Sequence, residues 1–240
     1  ALFEHYQVYS VRDLNFKLDT ICAKLLAHNE SKSSLSLVVS MWNGSADTIE
    51  MTEQMFFDSL LKFAHQQMEI IIIDDASPLH DETLAMLKRV VPALEAKGHR
   101  VININSPANL GYTHSYNVGL RKSTGDIIFI ANTDVRISQE VMPEMIRLLK
   151  EGAGIAGPML TNTGGYPPQL ATTKLTLNSY QSEDIARLDA FASRFNHLNQ
   201  TAQPVEVRHV VGSFMAVRRE VFQATGFLDE RFKNGYAEEV

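Results

Sequence analysis

The stretch GDIIFIANTDV, residues 125–135, decides how the whole sequence is interpreted. It holds an uninterrupted apolar run of the length of a buried β-strand, and the run ends abruptly in Asn132, Thr133 and Asp134. A core strand seldom ends in a carboxylate preceded by two hydrogen-bonding side chains, because a buried charge needs a partner. The pattern therefore predicts a buried strand that carries Asp134 to a polar site at its carboxyl end.

Similar apolar runs recur along the chain and alternate with segments of helical spacing. Strands are predicted at residues 35–40, 69–74, 100–105, 126–132, 154–160 and 210–219. Helices are predicted at residues 48–65, 81–98, 113–122, 138–152 and 220–224, the fourth with Ser138 as its N-cap. Strands that are apolar throughout and separated by helices predict an α/β fold with a mostly parallel central sheet, flanked by helices on both faces.

Two segments stand outside this alternation. Residues 1–34 carry a helical stripe of apolar residues and end in the polar stretch HNESKSS, which predicts an N-terminal helical extension or a linker from a preceding segment. Residues 161–205 are polar and mixed, which indicates either an excursion over the sheet or a flexible segment near a site. The chain starts at Ala1 and stops at Val240 after an acidic pair. We interpret it as a fragment whose main domain, residues 35–240, is truncated at the C-terminal end.

Composition restricts the classes of function. The 240 residues are 45% hydrophobic, enough for a sizeable core, and carry a net charge of −6 without a long basic run. Nucleic acid is not expected as a partner, because binding its phosphates requires clustered Lys and Arg. The single cysteine, Cys22, excludes a disulfide framework and is compatible with the reducing cytoplasm. No apolar run approaches the ~20 residues of a transmembrane helix.

Polar side chains follow three of the predicted strands. Asn43 comes after the first strand, Asp74 and Asp75 after the second, and Asp134 after the fourth. The carboxyl ends of parallel strands meet at one edge, where such sheets bind ligands. Carboxylates there can hold Mg²⁺ or Mn²⁺, or accept hydrogen bonds from a base or ribose. Each acid can equally cap a turn or the next helix. GxGxxG and GxxxxGK[ST] are both missing, which argues against a dinucleotide-binding domain and a P-loop.

A series of short motifs runs through the chain in a fixed order. They are LSLVVSMWNG, IIIDDASP, NLGYTHSYNVGL, GDIIFIANTDV, GIAGPML, VVGSFMAVRREVFQATGFLDERF and YAEEV. Together they resemble the opening VSVVIPTYNR strand, the VVDDGSTD and GDYILFLNNDV motifs and the YxEDVD motif of family-2 glycosyltransferases with the GT-A fold. The resemblance covers nearly the whole chain after Leu35. It extends to rhamnosyltransferase-like enzymes of bacterial cell-surface polysaccharides.

The resemblance implies roles for the matching positions. Asp134 stands in the DxD motif and would bind Mn²⁺ or Mg²⁺ on the diphosphate of a nucleotide-sugar donor, a UDP- or dTDP-sugar. The positions expected to line or shape the nucleotide site are Asn43, Asp74, Asp75, Ser77, Asn109, Gly111, Asn117 and Asn132. In the acidic pair, Glu239 is the expected general base, with Glu238 as support. The order of these two can also be reversed.

The sequence departs from the family pattern at several positions. Asn132 occupies the first position of DxD, where a neutral amide is a weaker metal ligand than a carboxylate. Ser40, Met41 and Gly44 replace the usual Pro, Thr and Arg near the base pocket. The acidic pair is Glu-Glu rather than Glu-Asp.

The resemblance implies an inverting transferase of polysaccharide or glycan biosynthesis. It would act on a saccharide, lipid-linked or protein acceptor in the cytoplasm or at the cytoplasmic face of a membrane, with peripheral membrane association of the full-length protein. Two alternatives remain open at this point. A sugar nucleotidyltransferase would need a Gly-rich start with a Lys, and the chain has MWNG there. A degenerate, non-catalytic binding module is kept open by Asn132 and by the Glu-Glu pair.

Overall fold

The structure is a computed structural model that describes residues 33–64, 66–162, 167–172 and 182–232. The extension predicted for residues 1–34 lies, except for Ser33 and Ser34, outside these ranges. The acidic pair Glu238 and Glu239 also lies outside them. The described part forms one sheet with helices on both of its faces.

The sheet has six strands in the order β3-β2-β1-β4-β6-β5. The strands are β1 (Leu35–Met41), β2 (Glu69–Asp74), β3 (Arg100–Asn105), β4 (Ile127–Ala131), β5 (Ile155–Ala156) and β6 (Phe214–Arg218). β1 pairs in parallel with β2 and β4, and β2 with β3, whereas β6 runs antiparallel to β4 and β5. The predicted α/β fold with a mostly parallel sheet is confirmed.

Seven α-helices are described. They are α1 (Ala46–Met51), α2 (Asp58–Phe63), α3 (His80–Ala96), α4 (Tyr112–Lys122), α5 (Val141–Lys150), α6 (Ser182–Asn199) and α7 (Arg219–Thr225). A capping box of Ser45 and Thr48 begins α1. A π-helical turn, Thr52–Phe57, joins α1 to α2 and interrupts the single helix predicted at 48–65. Its hydrogen bonds span five residues instead of four, so a search for ordinary helical spacing does not find it.

Alternate strand residues pack on opposite faces of the sheet. In β1, Leu37 and Val39 join a core with α2, α3 and α5, whereas Val38 points to the other face, towards Tyr116 and Leu120 of α4. All of these side chains are buried. Burying one aliphatic side chain of this size contributes roughly 1.5–3 kcal/mol, so packing on both faces is what stabilises the strands.

Buried Glu69 ties the amino-terminal ends of three strands together. Its carboxylate accepts hydrogen bonds from Ser36 Oγ (2.8 Å), the Thr124 amide (2.8 Å) and Arg100 Nη1 (2.7 Å). The next residue, Gly125, donates to Ser36 Oγ, and a Cβ on Gly125 would lie 2.5 Å from the Ser36 backbone nitrogen. The stretch 125–135 therefore begins with glycine because β4 enters the sheet in contact with the β1 backbone.

Two local predictions are wrong, and one helix was not predicted. Ser138 is not the N-cap of α5, which begins three residues later with Glu140 at the cap position. The strand predicted at 154–160 shrinks to the two residues of β5, since Pro158 cannot donate to a sheet ladder. The polar excursion contains the 18-residue helix α6, whose buried face is only Asp184, Ile185 and Leu188, too narrow a stripe to be recognised in the sequence.

His99 lies just after α3 and is a buried histidine without a hydrogen-bond partner among the described residues. It is 5% exposed, and neither ring nitrogen is satisfied. Desolvation and the charge of Lys97 lower its pKa from the usual 6.5. The unfolded chain therefore binds a proton near pH 6.5, whereas the folded chain does so only at lower pH. The free energy of unfolding should fall as the pH drops from about 6.5 towards the folded-state pKa.

We expect His99→Leu to make the free energy of unfolding depend less on pH below about 6.5. The substitution removes a group that binds a proton in the unfolded chain at a higher pH than in the folded chain. The measurement is urea unfolding followed by circular dichroism between pH 5 and pH 7.5. His197→Gln, at an exposed position in α6, is the matched control and should keep the wild-type slope. An unchanged slope in His99→Leu would contradict the assignment.

Candidate functional site

The strand order creates a crevice at the carboxyl edge of the sheet. The chain runs from β1 outward to β2 and β3 and then returns to place β4 on the other side of β1. Parallel sheets bind ligands where the strand order reverses in this way. Val39 of β1 is in register with Ala131 of β4, so the residues that follow both strands border the crevice. Trp42, 51% exposed, follows β1, and Asp134 follows β4.

Asp134 is an exposed residue at this edge. It lies in a turn after Asn132 and does not cap α5, which begins seven residues further along. Although the residue is exposed, the protein atoms around its carboxylate remove part of its hydration and raise its pKa, an effect that its own backbone N–H opposes. Tyr116 holds the start of the turn, because its hydroxyl donates to the Ala131 carbonyl (2.8 Å) and to Asn132 Oδ1 (3.1 Å).

The two acids at the carboxyl end of β2, Asp74 in its last position and Asp75 directly after it, are buried and engaged within the protein. Asp74 accepts from the Ser77 amide at 2.9 Å and contacts His80 Nδ1 at 3.3 Å. Asp75 accepts from the amides of Leu110 and Gly111, each at 2.9 Å. The bond of Asp74 to the Ser77 amide is the turn-capping alternative that the sequence left open, whereas Asp75 binds amides remote in sequence, at the start of α4. A carboxylate can accept further bonds, so the predicted contact of Asp74 with a nucleobase stays a prediction.

Asn43 and Ser77 connect the loops after β1 and β2. The Asn43 amide donates to Ser77 Oγ at 2.8 Å. The buried Asn43 side chain donates to Thr83 Oγ1 (3.1 Å) and accepts from Thr52 Oγ1 (3.3 Å), so it points into the helical layer. The structure thus gives Asn43 a role in joining α3 and the π-helical turn to the loop that carries Trp42. Its predicted place in a base and ribose pocket remains a prediction.

The predicted glycine and asparagine positions around α4 have separate roles in the structure. Gly111 has a φ of 79°, which favours glycine, and its amide is shared by Asp75 and Asn109 Oδ1 (2.9 Å). Asn117 is buried and binds both the amide and the carbonyl of Leu228, at 3.0 and 2.8 Å. Its Nδ2 also donates to Glu230 Oε1 at 3.0 Å. Asn117 therefore fixes the loop after α7 on α4, and this loop leads towards Glu238 and Glu239.

The donor set at the crevice can complete a hard-cation site with help from a ligand. Within the described ranges, no group of three or more His, Cys, Asp and Glu side chains could hold a metal ion by itself. Mg²⁺ bound to a diphosphate, however, takes only one or two protein carboxylates, with phosphates and water as the other ligands. The carboxylate of the exposed residue Asp134 and the amide of Asn132 fit that requirement.

Sequence reasoning missed several residues that shape this edge. Tyr116 was assigned only to a helix, although it fixes Asn132. Gln169 is buried and joins two loops, since it donates to the Pro158 carbonyl (3.0 Å) and accepts from the Val211 amide (2.7 Å). Arg136 is also buried, with a side chain 3% exposed. The sequence offered one indication of a role for Arg136, namely its position two residues after the predicted metal ligand Asp134.

Comparison with known proteins identifies the family. Residues 36–226 match the model of glycosyl transferase family 2. An undecaprenyl-phosphate 4-deoxy-4-formamido-L-arabinose transferase of Klebsiella pneumoniae is 27% identical over 128 residues, which cover 53% of this chain and 37% of the relative. A hexosyltransferase of low-salt glycan biosynthesis, Agl10 of Haloferax volcanii, is 27% identical over 140 residues, 56% of this chain and 43% of the relative. The chain thus spans about two fifths of the length of these relatives.

Two solved structures share the fold. The mannosyltransferase PcManGT of Pyrobaculum calidifontis, in complex with GDP-Man and Mn²⁺, aligns with a TM-score of 0.57 and 14% identity over 90% of this chain and 56% of its own. TarS of S. aureus, residues 1–349, aligns with a TM-score of 0.54 and 16% identity over 86% of this chain and 52% of its own. The GT-A expectation is thereby confirmed. Among the described helices, none has the length and apolarity to cross a membrane.

We expect Asp75→Asn to destabilise the protein by about 1–3 kcal/mol. The amide keeps one acceptor oxygen and brings an NH₂ group towards the amides of Leu110 and Gly111, which both donate to the carboxylate. Urea unfolding measures the effect. Glu206→Gln, which removes a charge from an exposed loop position, is the control and should stay within about 0.5 kcal/mol of wild type. Equal stabilities of the two variants would contradict the role of Asp75.

Proposed function

Because the chain belongs to glycosyl transferase family 2, we propose that it transfers a sugar from a nucleotide-diphospho-sugar donor to an acceptor hydroxyl with inversion at the anomeric carbon. The observation that carries the proposal is the exposed Asp134, which follows β4 at the switch point and occupies the family's metal motif. The carboxylates of Asp74 and Asp75 are held by the protein's own amides, whereas Asp134 is an exposed residue whose carboxylate is only partly desolvated.

In this proposal the donor lies across the crevice between β1 and β4. Asn132 and Asp134 are the residues that would hold Mn²⁺ or Mg²⁺ with the diphosphate, and a bound ion would supply charge stabilisation for the leaving nucleoside diphosphate. Asp75 fixes the backbone of Gly111 at the start of α4, so the nucleoside meets a preformed loop. Trp42 offers an exposed aromatic face at the rim. The donors proposed are UDP- and dTDP-sugars. The GDP-Man of PcManGT makes a GDP-sugar the third candidate to test.

The acidic pair supplies the proposed base. Glu239, supported by Glu238, removes the proton from the acceptor hydroxyl while the hydroxyl oxygen attacks the anomeric carbon. The bond to the diphosphate oxygen breaks on the opposite face, which inverts the configuration. The assignment is supported by the resemblance of YAEEV to the YxEDVD motif.

The relatives indicate a class of acceptor and not a particular molecule. The undecaprenyl-phosphate named for the Klebsiella relative favours a lipid-linked acceptor among the saccharide, lipid-linked and protein acceptors considered. Such an acceptor would place the reaction at the cytoplasmic face of a membrane, with the full-length protein associated peripherally. The proposed process is polysaccharide or glycan biosynthesis.

Asp134→Ala should weaken Mn²⁺-dependent nucleotide binding on the order of 100-fold and abolish most turnover, because it removes the metal carboxylate. UDP, dTDP and GDP are titrated calorimetrically with and without Mn²⁺. Trp42, the only tryptophan, gives an independent fluorescence signal at the crevice. Glu206→Gln is the matched charge control and should bind as wild type. A folded wild type that binds none of the three nucleotides with Mn²⁺ would overturn the proposal and favour a non-catalytic module.

Glu239→Gln should lower kcat by roughly 10²–10⁴-fold and leave the donor Kd unchanged, because general-base catalysis is lost while the nucleotide site is intact. The measurement is release of nucleoside diphosphate in the presence of acceptor, paired with calorimetry of the same variant. Glu238→Gln should have the smaller effect. A larger loss in Glu238→Gln would exchange the two roles, and normal turnover in both variants would refute the assignment of the base to this pair.

A further inference from the structure

Arg136, two residues after Asp134, is the centre of an ion-pair cluster in which its own side chain is buried, Asp189 is partly exposed and Asp58 is exposed. Its guanidinium makes a two-point contact with Asp189 of α6, with Nε 2.6 Å from Oδ1 and Nη2 2.9 Å from Oδ2. Nη1 lies 3.0 Å from Asp58 Oδ2 of α2. We call Arg136, Asp58 and Asp189 the Arg136 cluster. The side-on geometry to Asp189 fixes both the position and the plane of the guanidinium, which a single contact would not do.

The π-helical turn supplies the fourth contact of the guanidinium. Arg136 Nη1 also donates to the backbone carbonyl of Gln54 at 2.7 Å. Gln54 lies within the turn Thr52–Phe57, where the wider hydrogen-bond spacing changes which carbonyls are available to outside donors. The interruption between α1 and α2 therefore presents a backbone acceptor to Arg136. π-Helical turns are frequent at functional sites.

Helix α6 covers the loop that carries Asp134 at more than one point. Besides the ion pair through Asp189, Asn196 Nδ2 donates to Ser138 Oγ (3.1 Å) and to Glu140 Oε2 (2.8 Å). Near the other end of the helix, Ile185 and Leu188 form a small apolar cluster with Met55 of the π-helical turn and with Met51. The helix that the polar excursion contributes thus spans the loop between β4 and α5.

The same loop is held from within the domain on both sides of Asp134. Tyr116 fixes Asn132 before it, and Ser59 Oγ accepts from the Ile137 amide at 3.0 Å after it. Arg136 lies between Asp134 and the Ile137 contact, so the Arg136 cluster is the anchor nearest to the carboxylate on that side. Displacing this anchor by about 1 Å is enough to impair a site that depends on placed ligands.

We propose that Arg136, held by Asp189 of α6, is a positioning residue that sets the geometry of the Asp134 carboxylate for the donor metal. The inference rests on the proposed function for the metal itself, but the anchoring of the loop is a property of the metal-free protein. It assigns the segment 182–199 a part in donor binding, through a salt bridge rather than through contact with the donor.

The test uses Asp189→Asn in the full chain. The amide turns an NH₂ group towards the guanidinium and loses the two-point contact, with little change in volume. We expect the affinity for Mn²⁺ in the presence of nucleotide, measured from free Mn²⁺ by electron paramagnetic resonance, to fall about tenfold. Binding of the same nucleotide without metal should not change. Hydrogen exchange in metal-free protein should accelerate at the amides of Val135 and Ile137. Glu144→Gln, which removes an ion pair of Arg147 on α5, is the matched control.

The outcomes separate the inference from the proposed function. If wild type binds no nucleotide with Mn²⁺, the proposed function fails, and the exchange rates alone decide whether Asp189 anchors the loop. If Asp189→Asn exchanges at 132–138 as wild type does, or binds Mn²⁺ equally well, the positioning role is overturned. A lower Tm with unchanged exchange and Mn²⁺ affinity would also overturn it, because stability alone would be affected. Arg136→Lys, which keeps the charge but not the fork, should reproduce the Asp189→Asn result.

Discussion

The parallel pairing of β4 with β1 is the constraint on which the rest of the structure depends. It requires close approach at the amino-terminal end, where Gly125 lies against the backbone of Ser36, and Glu69 holds both segments there with a buried carboxylate. The register set at that end carries through five strand residues to the opposite edge. Asn132 and Asp134 therefore emerge beside the residues that follow β1. A packing requirement at one edge of the sheet thus determines where the acidic group lies at the other.

Burial separates the acids at the carboxyl edge into two kinds. Asp74 and Asp75 are surrounded by protein and satisfied by backbone amides, so their negative charge stabilises loops that would otherwise leave those amides unpaired. Asp134 is exposed, and partial desolvation raises its pKa against the opposing effect of its own backbone N–H. A cation would reverse that effect by favouring the charged form. The edge therefore combines a rigid, internally bonded part with one acid available to a ligand.

The strands of the sheet could be predicted well because each is marked by an apolar run within its own segment of the sequence. The runs around Val38, Ile71 and Ile128 are apolar throughout, and each is buried on both faces. The partners of the site residues could not be predicted, because they are remote in sequence: the amides bound by Asp75 belong to residues 35 and 36 positions away, and Asn117 bonds to Leu228, 111 positions away. The antiparallel direction of β6 and the existence of α6 were missed for the same reason, since neither follows from spacing within its own segment.

Polar contacts, more than apolar packing, hold α6 against the loop that carries Asp134. Its apolar contact is small, with Ile185 and Leu188 against Met55, so hydrophobic burial contributes little to holding it. The remaining contacts are directional, above all the two-point bond between Asp189 and Arg136. A partly buried ion pair of this kind adds little net stability over an apolar contact, because desolvation offsets much of the attraction. Its geometry, however, admits one arrangement of the two partners. An apolar contact is not directional and would not fix the position of α6 relative to the loop. The ion pair fixes the position of Arg136, which is two residues from Asp134.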